Sequence, residues 1–477
     1  MIRSLRTVAA LPALLFLLGA PRAASAFDLP RTREVRLPNG ALVILAERHD
    51  VPLIAFRALL RCGGLADKPG KEGTAALTAG LLRKGAGHRT AQEIAALVDG
   101  LGANLDTGAG LEHTYVAGEF MSRDQGVMLD LLADLLRRPT FPEDEFEKLK
   151  SQTIDGITAD KDDPRNVIGE YGYAFLYRDH PYGRPVDGDE ATNRGLVRED
   201  ALRYYRENYG GDRLILSMVG DFSAPAMESR IRAEFSDWAK APGPAPQAPP
   251  VTRGTGRHVL LVDKPDATQT YFWMATTGLA RTDPDRVPLD VANTAYGGRY
   301  TSILNTALRI EGGLTYGAAV RGPRYTQAGP WAMVSYTKTE TTGKAVDLAL
   351  RTLEQVRRAG VDSTALVSTK TYMVGQFPPR LETEDQIAGS LADLAFYGLG
   401  KEELEHYTDR VLAARPEDVK RVIERIYPPA EDITFVFVGK AAAIRTVVRK
   451  YGPVTEVPIT DPLLSRLKPG AKAAGPR

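Results

Sequence analysis

Two histidines one helical turn apart can share a metal ion, and a carboxylate beside them can take a proton from metal-bound water. The six histidines of this chain are His49, His88, His113, His180, His258 and His406, and no two lie three to five residues apart. Ligands gathered from distant segments are the one metal arrangement that this spacing leaves open. Glu112-His113 is one of two adjacent Glu-His pairs, with Glu405-His406, but Ala109 stands where an inverted motif would need its first histidine. His113 therefore reads as a polar strand residue, and His180-Pro181-Tyr182 as a loop-fixing segment rather than a ligand. The single cysteine, Cys62, excludes an intramolecular disulfide. Within Leu59-Leu60-Arg61-Cys62 it reads as a packed apolar residue.

The 477 residues, 43% hydrophobic and 25% charged, leave room for two to four domains with substantial cores. A net charge of +1 gives no basic excess of the kind that nucleic-acid binding requires. Arg3 and Arg6, the apolar run Val8 to Leu18 and the small residues Ala24-Ser25-Ala26 before Phe27 have the three-part layout of a secretory signal peptide. They predict cleavage after residue 26 and export to the periplasm, and no later apolar run is long enough to span a membrane.

Proline density over 241–254 rules out a helix or interior strand there and predicts an extended linker. The segments on either side end alike. Glu199-Asp200, Tyr209 and Gly220 recur as Glu417-Asp418, Tyr427 and Gly439, displaced by 218, 218 and 219 residues. Each ending reads as a helix followed by an apolar strand, so the pattern predicts a duplicated unit. Locally, Arg36 to Leu45 reads as a hairpin with Asn39-Gly40 at its turn, and Pro52 to Leu60 as the next strand. Gly73 to Lys84 reads as a short apolar helix, and Thr90 with Glu93 as a capping box for a helix from Ala91. Asn104 to Phe120 reads as paired strands, followed by amphipathic helices over 125–136 and 143–158. This mixture, without regular βαβ alternation, predicts an α+β fold of sheets covered by helices.

The order of these segments resembles the pitrilysin/insulinase (M16) metallopeptidase family over roughly residues 30 to 450. The resemblance rests on Leu37-Pro38-Asn39-Gly40, Gly102-Ala103-Asn104 with Thr114-Tyr115, Asp162-Asp163-Pro164 and His180 to Pro185. Val219-Gly220-Asp221 and the stretch Leu304 to Gly317 complete it. It implies two homologous domains, over 27–240 and 255–452, before a tail at 453–477. The family's zinc motif, H-x-x-E-H, falls on the helix over 73–85. There Ala76 and Gly80 stand in the places of the two histidines and Ala79 in that of the general base, while Gly156 aligns with the third ligand. None of the four has a donor atom on its side chain, so the resemblance implies a chain without zinc.

The family's second domain contributes an arginine and a tyrosine seven residues apart, matched here by Arg309 and Tyr316. A guanidinium suits a peptide carbonyl, and a phenol suits the oxyanion that forms when water attacks it. Glu311-Gly312-Gly313 between them predicts a mobile loop. Together these features imply a non-catalytic subunit, inactive alone, whose Arg309 and Tyr316 serve the zinc site of an M16 partner acting on peptides. The alternatives are a peptide-binding scaffold without an active partner and a self-sufficient zinc enzyme. In the family the edge strand takes up peptides by strand addition, and Asn104 to Asp106 falls on it.

Overall fold

The computed structural model describes residues 29–464, so the signal peptide expected over 1–26 and most of the terminal tail lie outside the described residues. Six strands form the first sheet: β1 (Thr32–Arg36), β2 (Leu42–Glu47), β3 (Leu53–Leu60), β4 (Asn104–Ala109), β5 (Thr114–Met121) and β6 (Leu214–Gly220). Their order is β1-β2-β6-β3-β5-β4. A second sheet holds β7 (His258–Asp263), β8 (Gln269–Thr277), β9 (Ala318–Arg321), β10 (Pro330–Lys338), β11 (Thr434–Gly439) and β12 (Val454–Pro458). It runs β12-β7-β11-β8-β10-β9. Five of the six positions, one edge included, correspond strand for strand, which is the duplication that the two chain endings predicted. The other edge differs: β1 lies antiparallel to β2, whereas β12, drawn from the end of the described chain, lies parallel to β7.

Local chemistry explains the first elements. Leu37 N–H donates to Ala41 across a three-residue turn, Pro38-Asn39-Gly40, and Gly40 takes φ +103°, a conformation that disfavours any side chain. Asn39 fastens this turn by donating to the carbonyls of Phe235 and Trp238 at 2.7 and 3.0 Å. The expected helices appear as α1 (Thr74–Leu81), α2 (Ala91–Gly100), α3 (Gln125–Arg137) and α4 (Glu143–Asp160). The Thr90–Glu93 capping box at α2 is formed in both directions. Cys62 is fully buried, and that burial pushes its thiol up to about 12. The native protein should therefore resist a thiol reagent at pH 8 and label once only on unfolding; rapid native labelling would show that this packing is absent.

Both sheets are apolar on both faces. Along β2, Val43 and Leu45 join the core beneath the first half's own helices, while Ile44 and Ala46 face the other way. That second face is closed by a helix from the opposite half. Helix α5 (Pro164–Tyr177) lays Val167, Ile168, Tyr171 and Ala174 on Leu260, Val262, Trp273 and Val436 of the second sheet. Reciprocally, α6 (Glu384–Phe396) lays Ile387, Ala388 and Leu391 on Ile44, Ala46 and Val219 of the first, and Ala392 and Phe396 on Leu59 and Ile215. A fully buried aliphatic or aromatic side chain is worth about 1.5–3 kcal/mol. The exchange therefore outweighs any single hydrogen bond between the halves, each worth roughly 1 kcal/mol net.

One polar junction lies between them. The buried carboxylate of Glu112, in the turn between β4 and β5, accepts from Thr326 N–H at 2.9 and 3.2 Å, from Tyr397 O–H at 3.3 Å and from Tyr182 O–H. The Tyr182 oxygen in turn accepts from Gln327 N–H at 3.0 Å. Burial, then the bond to Glu112, push the Tyr182 phenol well above its usual range. The proline-rich segment 241–254 holds no helix or strand. It is tied to both halves, accepting from Arg213 at Gly243 (2.9 Å) and donating from Arg253 to the carbonyl of Arg425 (2.8 Å).

Candidate functional site

Helix α1 begins where the buried Asp67 carboxylate accepts from the N–H groups of Gly73 and Ala75 at 3.0 and 2.9 Å. Ala79 is fully buried, while Ala76 and Gly80 lie on the half-exposed face. Helix α4 packs against that face in the opposite direction. Lys84 pairs with Glu145 at 3.7 Å, and a Cβ added to Gly80 would meet Leu149 Cδ2 at 2.9 Å. One turn farther along α4, Thr153 donates its hydroxyl to the Leu149 carbonyl at 2.9 Å. Gly156, aligned with the third ligand, lies a turn beyond, exposed and with nothing within 4 Å of a Cβ. Neither α4 position carries a carboxylate, and Leu149 takes the space next to Gly80. The residues present do not fit a zinc ion.

Restoring the motif as Ala76→His, Ala79→Glu and Gly80→His should accordingly yield no tight zinc site. It should also cost about 1–3 kcal/mol, because the new side chain at position 80 overpacks Leu149. Metal analysis after dialysis and denaturant unfolding check both parts; a stoichiometric zinc ion in the triple variant would contradict the geometry.

The histidines are placed elsewhere. His180 Nδ1 accepts from Tyr182 N–H at 3.1 Å, so Nε2 carries the proton and donates to the Pro249 carbonyl at 2.9 Å. That is the loop-fixing role expected for it. His113 lies in the turn just before β5 rather than on a strand, with its ring edge on Phe396 at 5.3 Å; burial lowers its pKa. Among the described residues, no three His, Cys, Asp or Glu side chains converge as a metal site.

Arg309 and Tyr316 are brought together. A short helix from Ile303 continues as a π-helical turn over Thr306–Glu311, anchored by fully buried Leu304 and Leu308. Arg309 Nη1 donates to the Tyr316 carbonyl oxygen at 2.7 Å, and Tyr316 itself is 76% exposed. The mobile loop expected at Glu311-Gly312-Gly313 is instead a hydrogen-bonded helix cap. Gly312 N–H donates to Ala307 and Leu314 N–H to Leu308, both at 2.9 Å, with Gly313 at φ +61°. Two glycines in a row served a cap, which a sequence cannot distinguish from a hinge. Beside the pair, from Gly317 onward, a cavity of about 690 Å³ opens between α5 and the second sheet. Tyr173, Tyr271, Trp273 and Tyr336 line it, with Arg165 and Arg321. Sequence reasoning missed this cleft, because its walls come from opposite halves.

Residues 43–190 match the family model for insulinase (peptidase family M16), and residues 195–373 match that for the peptidase M16 inactive domain. An uncharacterized zinc protease of Streptomyces coelicolor is 23% identical over 396 residues, covering 82% of this chain and 86% of the relative. One of Mycobacterium tuberculosis is 24% identical over 400 residues, covering 83% and 90%. Among solved structures, a peptidase M16 inactive domain from Pseudomonas fluorescens superposes with a TM-score of 0.80 at 23% identity, over 86% of this chain and 98% of that one. A protease from Helicobacter pylori gives 0.78 at 19% identity, over 86% and 100%. Two adjoining family models, relatives aligned over most of their length and a shared fold agree: the chain belongs to peptidase family M16 and lacks that family's catalytic motif.

Proposed function

We propose that this chain is the non-catalytic subunit of a heterodimeric M16 zinc metallopeptidase. The observation that carries the reading is an asymmetry. Ala76, Ala79, Gly80 and Gly156 provide no metal ligand or base, yet Arg309 is hydrogen-bonded to Tyr316 on an exposed ledge beside an aromatic cleft. The bond runs to the Tyr316 backbone carbonyl and leaves the phenol exposed beside the guanidinium's loop. The guanidinium and the phenol suit a peptide whose scissile carbonyl lies in another chain's site.

In that arrangement the zinc belongs to the H-x-x-E-H motif of the partner and supplies the attacking water. Arg309 donates to a peptide carbonyl and holds the substrate in register. The Tyr316 O–H donates to the oxyanion as the tetrahedral intermediate forms. The signal-peptide layout of residues 1–26 supports a periplasmic setting for this work, on peptides that reach that compartment. Among the described residues, no helix is long and apolar enough to cross a membrane.

Purified alone, the protein should hydrolyse a quenched fluorescent peptide negligibly and hold no stoichiometric zinc. Mixed with an M16 chain that carries an intact motif and is encoded beside it, it should yield rapid hydrolysis. A stable homodimer that ignores such a chain, or the lack of one in the adjacent reading frames, would favour a peptide-binding scaffold. Stoichiometric zinc in the lone protein would overturn both readings.

A further inference from the structure

Even a half-buried arginine such as Arg309 ordinarily samples several rotamers, and ordering one costs conformational entropy. Arg309 is held at two points. Besides donating to the Tyr316 carbonyl, its guanidinium carbon lies 4.7 Å from the centroid of the Tyr300 ring. Tyr300 is 60% exposed, so its ring adds little to any core. Its backbone is nonetheless fixed. The buried amide of Asn305 donates to the Tyr300 carbonyl at 2.6 Å and accepts from Ala318 N–H at 3.2 Å. One side chain thereby ties the residues that bracket the Arg309–Tyr316 segment on either side. The adjacent cation, Arg299, does not compete for the ring. It donates to Ser368 Oγ at 2.9 Å and lies over Tyr372.

We infer that Tyr300 is a positioning residue for Arg309. The Tyr300 ring and the Tyr316 carbonyl hold the guanidinium at two points, leaving the remaining N–H donors for a substrate carbonyl. Asn305 sets the distance between those two supports. The inference rests on the reading of Arg309 as a substrate-binding group, and it assigns to an exposed tyrosine a role that burial and fold stability do not explain.

The test compares Tyr300→Leu with Tyr300→Phe in the full chain. In the isolated protein, the Arg309 Nε–H signal, identified by its loss in Arg309→Ala, should move when the ring is removed and stay in place in the Phe variant. In the reconstituted peptidase, Tyr300→Leu should raise KM roughly two- to five-fold with little change in kcat, the size of an exposed cation–π contact. Tyr300→Phe should restore the wild-type value. An unmoved Arg309 signal with an unchanged KM in Tyr300→Leu, or equal impairment by Leu and Phe, would overturn the platform role. If Tyr300→Leu moves the signal but Arg309→Ala leaves hydrolysis unchanged, the platform stands and the assignment of Arg309 to a partner's site falls.

Discussion

Replacing Tyr316 with phenylalanine should lower kcat of the reconstituted peptidase by roughly 100- to 1000-fold, the usual effect of removing one oxyanion donor. The geometry makes this a clean substitution. Arg309 is bonded to the backbone carbonyl of Tyr316, not to its phenol, so the variant keeps the arginine where it is. The side chain is 76% exposed, so the thermal midpoint should not move. KM should change little, because the hydroxyl is engaged only as negative charge develops. Arg309→Ala should behave differently, raising KM as well, since it removes a donor to the bound peptide and frees both the Tyr316 carbonyl and the Tyr300 ring. Unchanged turnover in Tyr316→Phe would remove the phenol from the chemistry.

Glu112→Ala should lower the free energy of unfolding by about 2–4 kcal/mol, because hydrogen bonds to a charged group are worth about 1.5–3 kcal/mol each. The buried phenol of Tyr182 would lose its acceptor away from water, and the Tyr397 phenol and the Thr326 N–H would lose theirs nearer the surface. Glu112→Gln retains the shape and one acceptor oxygen, so its loss should be smaller, about 1–2 kcal/mol. Denaturant unfolding of both variants measures the difference. A cost below about 1 kcal/mol for alanine would show that water readily replaces the carboxylate and that apolar packing alone joins the halves.

The strands were legible because β6 and β11 are buried at every position, and a continuous apolar run between turn signals has few other fates. The capping box at Thr90 and the turn at Gly40 were legible because each requires particular residues. The empty metal positions could be read from Ala76, Ala79 and Gly80 by side-chain chemistry alone. Their surroundings could not: that Leu149 closes on Gly80, and that Gly156 has nothing beside it, depends on how two helices slide past each other. The exchange of α5 and α6 was equally hidden. Periodicity shows that a helix buries one face, but the sheet it buries that face against lies some hundred residues or more away. The cap at Gly312-Gly313 was misread because a left-handed glycine serves a helix end and a hinge alike.

The exchanged helices also bear on the mechanics of the chain. A single unit without its partner's helix would expose one whole face of its sheet. Neither unit should then be stable when expressed by itself, and neither can swing away from the other without laying bare both sheets. The two halves are therefore interlocked as one packed body, each serving as part of the other's core.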